Sequence, residues 1–561
     1  MNDQPNLRQF LDEVSSFSEE AAGAPGKTSS KTLAAIGKVL DIAGSGSQIC
    51  MDSRQLAALQ SHSDPSVAMS GQVGSQVKMV VGNAWLIANV RTMRADASGE
   101  ILASVDFLGE GSRDSTGKMS NFRRGVTRYP IPGADVHAVT TEDLRSIFAA
   151  SDEAHVEIGT VYPTDDIRGA LYVDPMLSKH FAILGSTGTG KSTSVALILH
   201  RISELSPEGH IMMIDPHGEY SAAFKGCGEI FNVDNLQLPY WLMNFDEHCE
   251  VLLTTHGSER QRDADILAKC LLTARTKGKD LSQLGKVTVD SPIPYLLTDL
   301  NTILVNEMGK LERAGDTLPY QRLKTKLDEL RVDPRYTFMF SGMLVSDSMG
   351  GLLAKLFRLP SHGRPISIVD VSGVPSEITS VVVSVLARMV FDYAIWSRTE
   401  AQKPLLLVCE EAHRYVPKDE HQEGGQAVRR ILERIAKEGR KYGVSLGLIT
   451  QRPSDLAEGV LSQCGTIVAM RLNNDRDQAC VRAAMPEGAR GFLDAIPALR
   501  NRECIVCGEG VAIPIRVRFD DLEPEKRPAS SDPSFSRLWR ESGDEAGIIS
   551  RTVKRWRGHG R

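Results

Sequence analysis

Apolar residues fall into two textures along this chain. Between about 32 and 175 they form short β-rich runs punctuated by Gly, Asp and Ser: IGKVLDI (36–42), VKMVVGNAWLIANV (77–90), ILASVDFLG (101–109), VTRYPI (126–131) and HVEIGTVYP (155–163). Such spacing predicts a small barrel or sandwich. From about 176 the runs alternate with helical stretches, and each ends in polar residues. They are FAILG (181–185), HIMMIDPHGEY (210–220), PISIVDVSG (365–373), PLLLVCEEAH (404–413) and GVSLGLITQRP (443–453). Continuous apolar strands separated by helices predict a parallel sheet covered on both faces, with functional groups at its carboxyl edge.

The same patterning divides the chain. Residues 1–30 are rich in Ser, Glu, Ala and Gly and read as a flexible arm. Residues 31–175 form the β-barrel domain, and 176–520 the α/β domain, with a charged helical insertion at about 246–360. Residues 521–561 are a C-terminal extension with an aromatic patch, PSFSRLWR (533–540), and a basic end, RTVKRWRGHGR.

Composition adds exclusions. With 41% hydrophobic and 24% charged residues the chain reads as an ordinary soluble protein. Its best apolar run, VVVSVLARMVF (381–391), is short and contains Arg388, so no membrane span is expected. The first residues have neither a basic flank nor an apolar centre, which predicts a cytoplasmic location. Nine scattered cysteines fit reduced thiols. Cys504 and Cys507 have C-x-x-C spacing, but residues three apart in a strand face opposite ways, so they read as structural. A net charge of −6 leaves nucleic-acid binding open, since a local basic surface still binds phosphate.

The candidate chemistry begins with Gly185, Ser186, Thr187, Gly188, Thr189, Gly190, Lys191 and Ser192, followed by Thr193. This is G-x-x-x-x-G-K-[ST] between a strand and a helix, the setting of a phosphate-binding loop. The glycines let backbone N–H groups face a phosphate at the positive end of the next helix. Lys191 would contact the β- and γ-phosphates of ATP, and the Ser192 hydroxyl would coordinate Mg²⁺. Three strand ends offer carboxylates: Asp215, Asp370 and the pair Glu410-Glu411. Only the pair provides both roles side by side, Glu410 supporting Mg²⁺ and Glu411 activating the attacking water. Asp370 reads as a loop cap, and Asp215 as either an active-site or a turn-forming residue. Gln451, at the end of the next strand, could read the γ-phosphate or orient water, or simply mark a strand exit.

VRRILERIAKEGRKYG (428–443) predicts a helix with Val428, Ile431, Leu432, Ile435 and Ala436 as its apolar stripe. Arg429 with Glu433 and Glu433 with Lys437 are pairs four residues apart on its solvated face. Arg440 follows Gly439 at the helix end. There it either complements the helix dipole or serves as an arginine finger in a neighbouring subunit's ATP site.

The set HFAILGSTGTGKS, IDPHGEY, VDVSGVPSEI, EEAHRYVP, AKEGRKYGVSLGLITQRPS and LSQCGTIVAMRL, in that order, resembles the HerA family within the HerA/FtsK group of ring-shaped translocases. The resemblance implies an α/β fold: a RecA-like P-loop NTPase core with an inserted helical subdomain and an N-terminal small β-barrel. It further implies a homohexamer with ATP sites between subunits and double-stranded DNA in the pore. It favours Arg440 as a finger acting in trans and adds weight to Asp215 as nucleotide-binding. It implies a partner too: a NurA-like nuclease in DNA-end processing, or a defence effector such as a sirtuin-like NAD-consuming enzyme or a nuclease. The C-terminal aromatic patch is similar to extensions that brace neighbouring subunits. Two functions follow as expectations: an ATP-driven translocase or helicase on duplex DNA, or an ATP-gated ring scaffold that assembles and regulates an effector.

Overall fold

The computed structural model describes residues 34–557 apart from 98, 280–284, 312–313, 343, 420–424, 486–489, 530–534, 541–542 and 544. The N-terminal arm and the last four residues of the basic tail lie outside the described residues. Two sheets organise the chain.

The first is built from β1 (Gly37–Ile42), β2 (Gly46–Met51), β3 (Gln76–Val81), β4 (Ala84–Ala95), β5 (Ile101–Arg113), β6 (Met119–Arg124) and β7 (Asp135–Ala138). Pairing of β2 with β5, from Gly46 opposite Asp106 to Met51 opposite Ile101, closes six of these strands into a barrel, with β6 added outside β5. Alternate residues such as Val39, Ile49, Val77, Met79, Val90 and Val105 fill its interior, the period of a strand with one buried face. VTRYPI, expected as a strand, forms none. Pro130 and Pro132 deprive that stretch of ladder donors.

HVEIGTVYP is a strand, but not of the barrel. As β8 (His155–Val161) it pairs with β9 (Arg168–Tyr172) and with a strand near residue 517, joining the second sheet. Local composition marks a strand without naming its neighbour.

The second sheet continues with β10 (Phe181–Leu184), β11 (Ile211–Asp215), β12 (Gly228–Phe231), β13 (Ile366–Asp370), β14 (Leu405–Cys409), β15 (Val444–Thr450), β16 (Thr466–Met470), β17 (Glu503–Gly508) and β18 (Ile515–Phe519). Their order is β12-β13-β11-β14-β15-β10-β16-β17-β18-β8-β9. Strands β12 through β16 in that order are parallel, and the antiparallel hairpins β17-β18 and β8-β9 extend the edge. Strands β10, β11, β14, β15 and β16 are buried along their whole length, the pattern of a parallel sheet covered by helices on both faces. Cys504 and Cys507 are buried in β17, and burial pushes the Cys507 thiol up to about 12.

Between β12 and β13 lies the helical insertion, with helices including Phe245–Leu252, Gly257–Thr276, Leu297–Met308 and Ala314–Val332. The helix Ser376–Trp396 is long and apolar enough, by length and composition only, to cross a membrane. Here it covers the sheet, with Val382, Val383, Val385 and Leu386 fully buried. Its Arg388 pairs at 2.8 Å with Glu247 and at 3.2 Å with Asp392. Glu247 also caps the first insertion helix and accepts from Ser384 at 2.8 Å. This buried pair locks the insertion to the sheet, and either charge left alone there would be costly.

The helix expected over 428–443 runs Gln426–Glu438 and then tightens into a 3₁₀ turn, Gly439–Tyr442. A Cβ on Gly439 would stand 2.9 Å from Val444 O, so the chain can fold back into β15 only with glycine there. The expected stripe is buried, and Arg429–Glu433 closes at 2.9 Å, but Arg429, expected on the solvated face, is itself buried. The C-terminal extension ends in the helix Glu545–Arg557, and Trp539 and Trp556 are exposed.

Candidate functional site

The phosphate loop starts where β10 ends, between two parallel neighbours. Gly185 N–H donates to Thr450 O at 3.3 Å and Ser186 N–H to Arg471 O at 3.0 Å, so the strands on both sides hold it. Gly188 and Gly190 have φ of 78° and 92°, a region that side chains disfavour. Thr189 Oγ1 closes the loop on Ser186 O at 2.8 Å. Gly190 leads straight into the helix Lys191–Leu205, whose first N–H groups lack partners within the helix. That cradle suits an anion.

Register explains why the other groups converge here. Leu184 lies opposite Thr450, and Cys409 opposite Leu448, so the residues after β10, β14 and β15 leave the sheet at one edge. Lys191 Nζ donates to Glu410 Oε1 and stands 3.8 Å from Glu411 Oε1. Burial works against the ammonium, but the two carboxylates outweigh it and lift Lys191 above its ordinary pKa. Thr187 Oγ1 donates to Gln451 Oε1. Lys191, Ser192, Glu410, Glu411 and Gln451 line one cavity of about 380 Å³, within the size range of small-molecule sites.

Glu411 takes a left-handed backbone, φ 51°. Its Oε2 is buried with no donor aimed at it among the described residues. His413 Nδ1 is 3.2 Å away, but is bonded to Thr450 Oγ1 at 2.9 Å. Burial holds the His413 imidazole below its ordinary pKa despite the Glu411 charge.

Two expected residues sit elsewhere. Asp215 is fully buried and turned into its own loop, accepting from the N–H groups of His217 at 3.1 Å and of Gly218 and Tyr220 at 2.9 Å. It shapes the turn and does not line the cavity. Arg440 is exposed at the opposite edge, beside a second cavity of about 610 Å³ at the amino ends of β11, β14 and β15. The seven residues of β15 separate it from the phosphate loop by roughly 20 Å. Arg440 therefore cannot reach the phosphate loop of its own chain.

The turn that Asp215 holds delivers groups the sequence did not single out. Ser192 Oγ donates to Glu219 Oε2 at 3.0 Å, and Tyr220 OH to Glu410 Oε2 at 3.1 Å. Burial, followed by the Glu410 charge, pushes the Tyr220 phenol well above its ordinary value, so it remains the donor. Both residues lie inside DPHGEY, where an acidic residue after a His-Gly turn was the available signal. Pro528 and Ala529, from the C-terminal extension, also line the cavity, and nothing local foretold them.

The donor set fits a nucleoside triphosphate with Mg²⁺. Hydroxyl and carboxylate oxygens suit a hard cation that takes few protein ligands and completes its shell on phosphates and water.

Residues 156–390 match the family model described as helicase HerA, central domain. The DNA double-strand break repair helicase HerA of Pyrococcus furiosus is 25% identical over 514 residues, covering 84% of this chain and 88% of the relative. Its namesake from Sulfurisphaera tokodaii is 26% identical over 426 residues, covering 74% and 78%. Among solved structures, VirB4 of Thermoanaerobacter pseudethanolicus is 16% identical, covers 67% of this chain and 99% of its own, and superposes with a TM-score of 0.49.

Proposed function

We propose that the chain is a HerA-family ATPase, as the match of its central region and its similarity to HerA helicases support, and that it hydrolyses ATP in a homohexameric ring to move along double-stranded DNA. The observation that carries the reading is the placement of two sets of groups on opposite edges of one sheet. The phosphate loop, Glu410, Glu411 and Gln451 line the carboxyl edge, and Arg440 stands at the other. Subunits packed edge to edge around a ring would bring Arg440 of one to the phosphates of the next.

Ser192 and Glu410 would hold Mg²⁺, which when bound spreads charge on the phosphate oxygens. Lys191 would exchange its Glu410 contact for the β- and γ-phosphates. Glu411, free of a strong donor on Oε2, would orient the attacking water and take its proton. Gln451 would position that water, and the loop N–H groups would carry charge developing on the β-phosphate. Duplex DNA as the track is supported by the names of the relatives. The family resemblance supports a nuclease or defence effector as partner.

Steady-state ATP hydrolysis with and without linear duplex DNA tests this reading, with Lys191→Ala as the blank. Several-fold stimulation by duplex is expected. Slow hydrolysis indifferent to DNA would instead favour an ATP-gated scaffold for an effector.

A further inference from the structure

The segment 520–529 runs from the end of β18 along the phosphate-loop helix to the cavity wall. Asp520 is gripped by Arg168 at 2.5 and 3.0 Å and by Arg201 at 3.4 Å. Lys526 reaches Glu204 at 3.1 Å. Arg201 and Glu204 both belong to the helix Lys191–Leu205, so the segment is fastened along the element that begins with Lys191 and Ser192. At its far end Ala529 N–H donates to Glu219 O at 2.8 Å.

Glu219 is thereby held at two points. Its carbonyl is fixed by the C-terminal segment, and its carboxylate accepts from the Ser192 hydroxyl, the group proposed to coordinate Mg²⁺. The adjacent Tyr220 bonds Glu410, the other proposed metal-supporting group. We infer that Glu219 is a positioning residue that orients the Ser192 hydroxyl toward a divalent cation bound with nucleotide, and that segment 520–529 is the clamp that keeps Glu219 in place. The C-terminal extension is then part of the ATP site of its own chain, and a displacement of that extension weakens metal–nucleotide binding. Carboxylates that orient metal ligands typically change metal affinity about 10–100-fold when altered.

The inference rests on the nucleotide-binding reading, and one experiment separates the two. Binding of a fluorescent mant-ATP analogue to the full-length protein is titrated with excess Mg²⁺ and again with EDTA. Glu219→Gln is expected to raise Kd about tenfold with Mg²⁺ and to change it less than about twofold with EDTA. Ala529→Pro removes the N–H donor, and Lys526→Glu repels Glu204. Both should shift Kd in the same Mg²⁺-dependent direction. Equal losses with and without Mg²⁺, or a Glu219→Gln protein that binds Mg²⁺–nucleotide normally, would overturn the positioning role. Parental affinity in both Ala529→Pro and Lys526→Glu would overturn the clamp. If the parent itself binds no nucleotide, the failure lies with the proposed function instead.

Discussion

Glu411→Gln is expected to lower kcat for ATP hydrolysis about 10³-fold while bound ATP is retained. The amide is nearly isosteric, so the loop at φ 51° and the Lys191–Glu410 contact keep their geometry. What disappears is a carboxylate able to accept a proton. Its buried Oε2 has no competing donor among the described residues, since the nearby His413 Nδ1 is bonded to Thr450. Single-turnover hydrolysis with labelled ATP, alongside equilibrium binding, checks both halves. A variant that still turns over within tenfold of the parent would move the base role to another group. Glu410→Gln should differ in kind: it removes the counter-charge of Lys191 and the support for Mg²⁺, so nucleotide binding itself should suffer.

The second large effect concerns Arg440. Its replacement by alanine is expected to cut kcat by about 10³-fold or more, the usual scale for losing an arginine finger, with Kd for ATP little changed. Distance makes the prediction specific, because the length of β15 separates Arg440 from its own phosphate loop. In the proposed ring, only a neighbouring subunit's site would be open to it. Mixing Arg440→Ala with Lys191→Ala subunits should restore part of the activity that neither has alone. In a mixed ring some interfaces pair an intact loop from one chain with an intact finger from the other. Normal hydrolysis by Arg440→Ala alone, in the assembled ring, would refute the finger and leave the helix-dipole role.

The parts of this site that were legible in the sequence are those whose chemistry is local. The glycine loop dictates its own backbone, and a strand ending in Glu-Glu displays its carboxylates wherever that strand lies. Strand 155–163 was legible as a strand but not as a member of the ATPase sheet, because its partner at Val517 is more than three hundred residues away. Asp215 had two readings, and its side chain went to the turn because three backbone N–H groups needed an acceptor there. Glu219, Pro528 and Ala529 belong to the site only through tertiary contacts. Helix 376–396 has a composition that would suit a bilayer, but Arg388 marked it otherwise, and the sheet and the Glu247 pair occupy its surface.

The central claim, ATP-driven movement on duplex DNA, is tested most directly by displacement of a third strand from a linear duplex. The parent protein should strip a fluorescent triplex-forming oligonucleotide in the presence of ATP and Mg²⁺, with a lag that lengthens with the duplex it must cross. Lys191→Ala should leave the triplex intact. A parent that hydrolyses ATP yet never displaces the oligonucleotide, whatever the length of duplex, would contradict the motor.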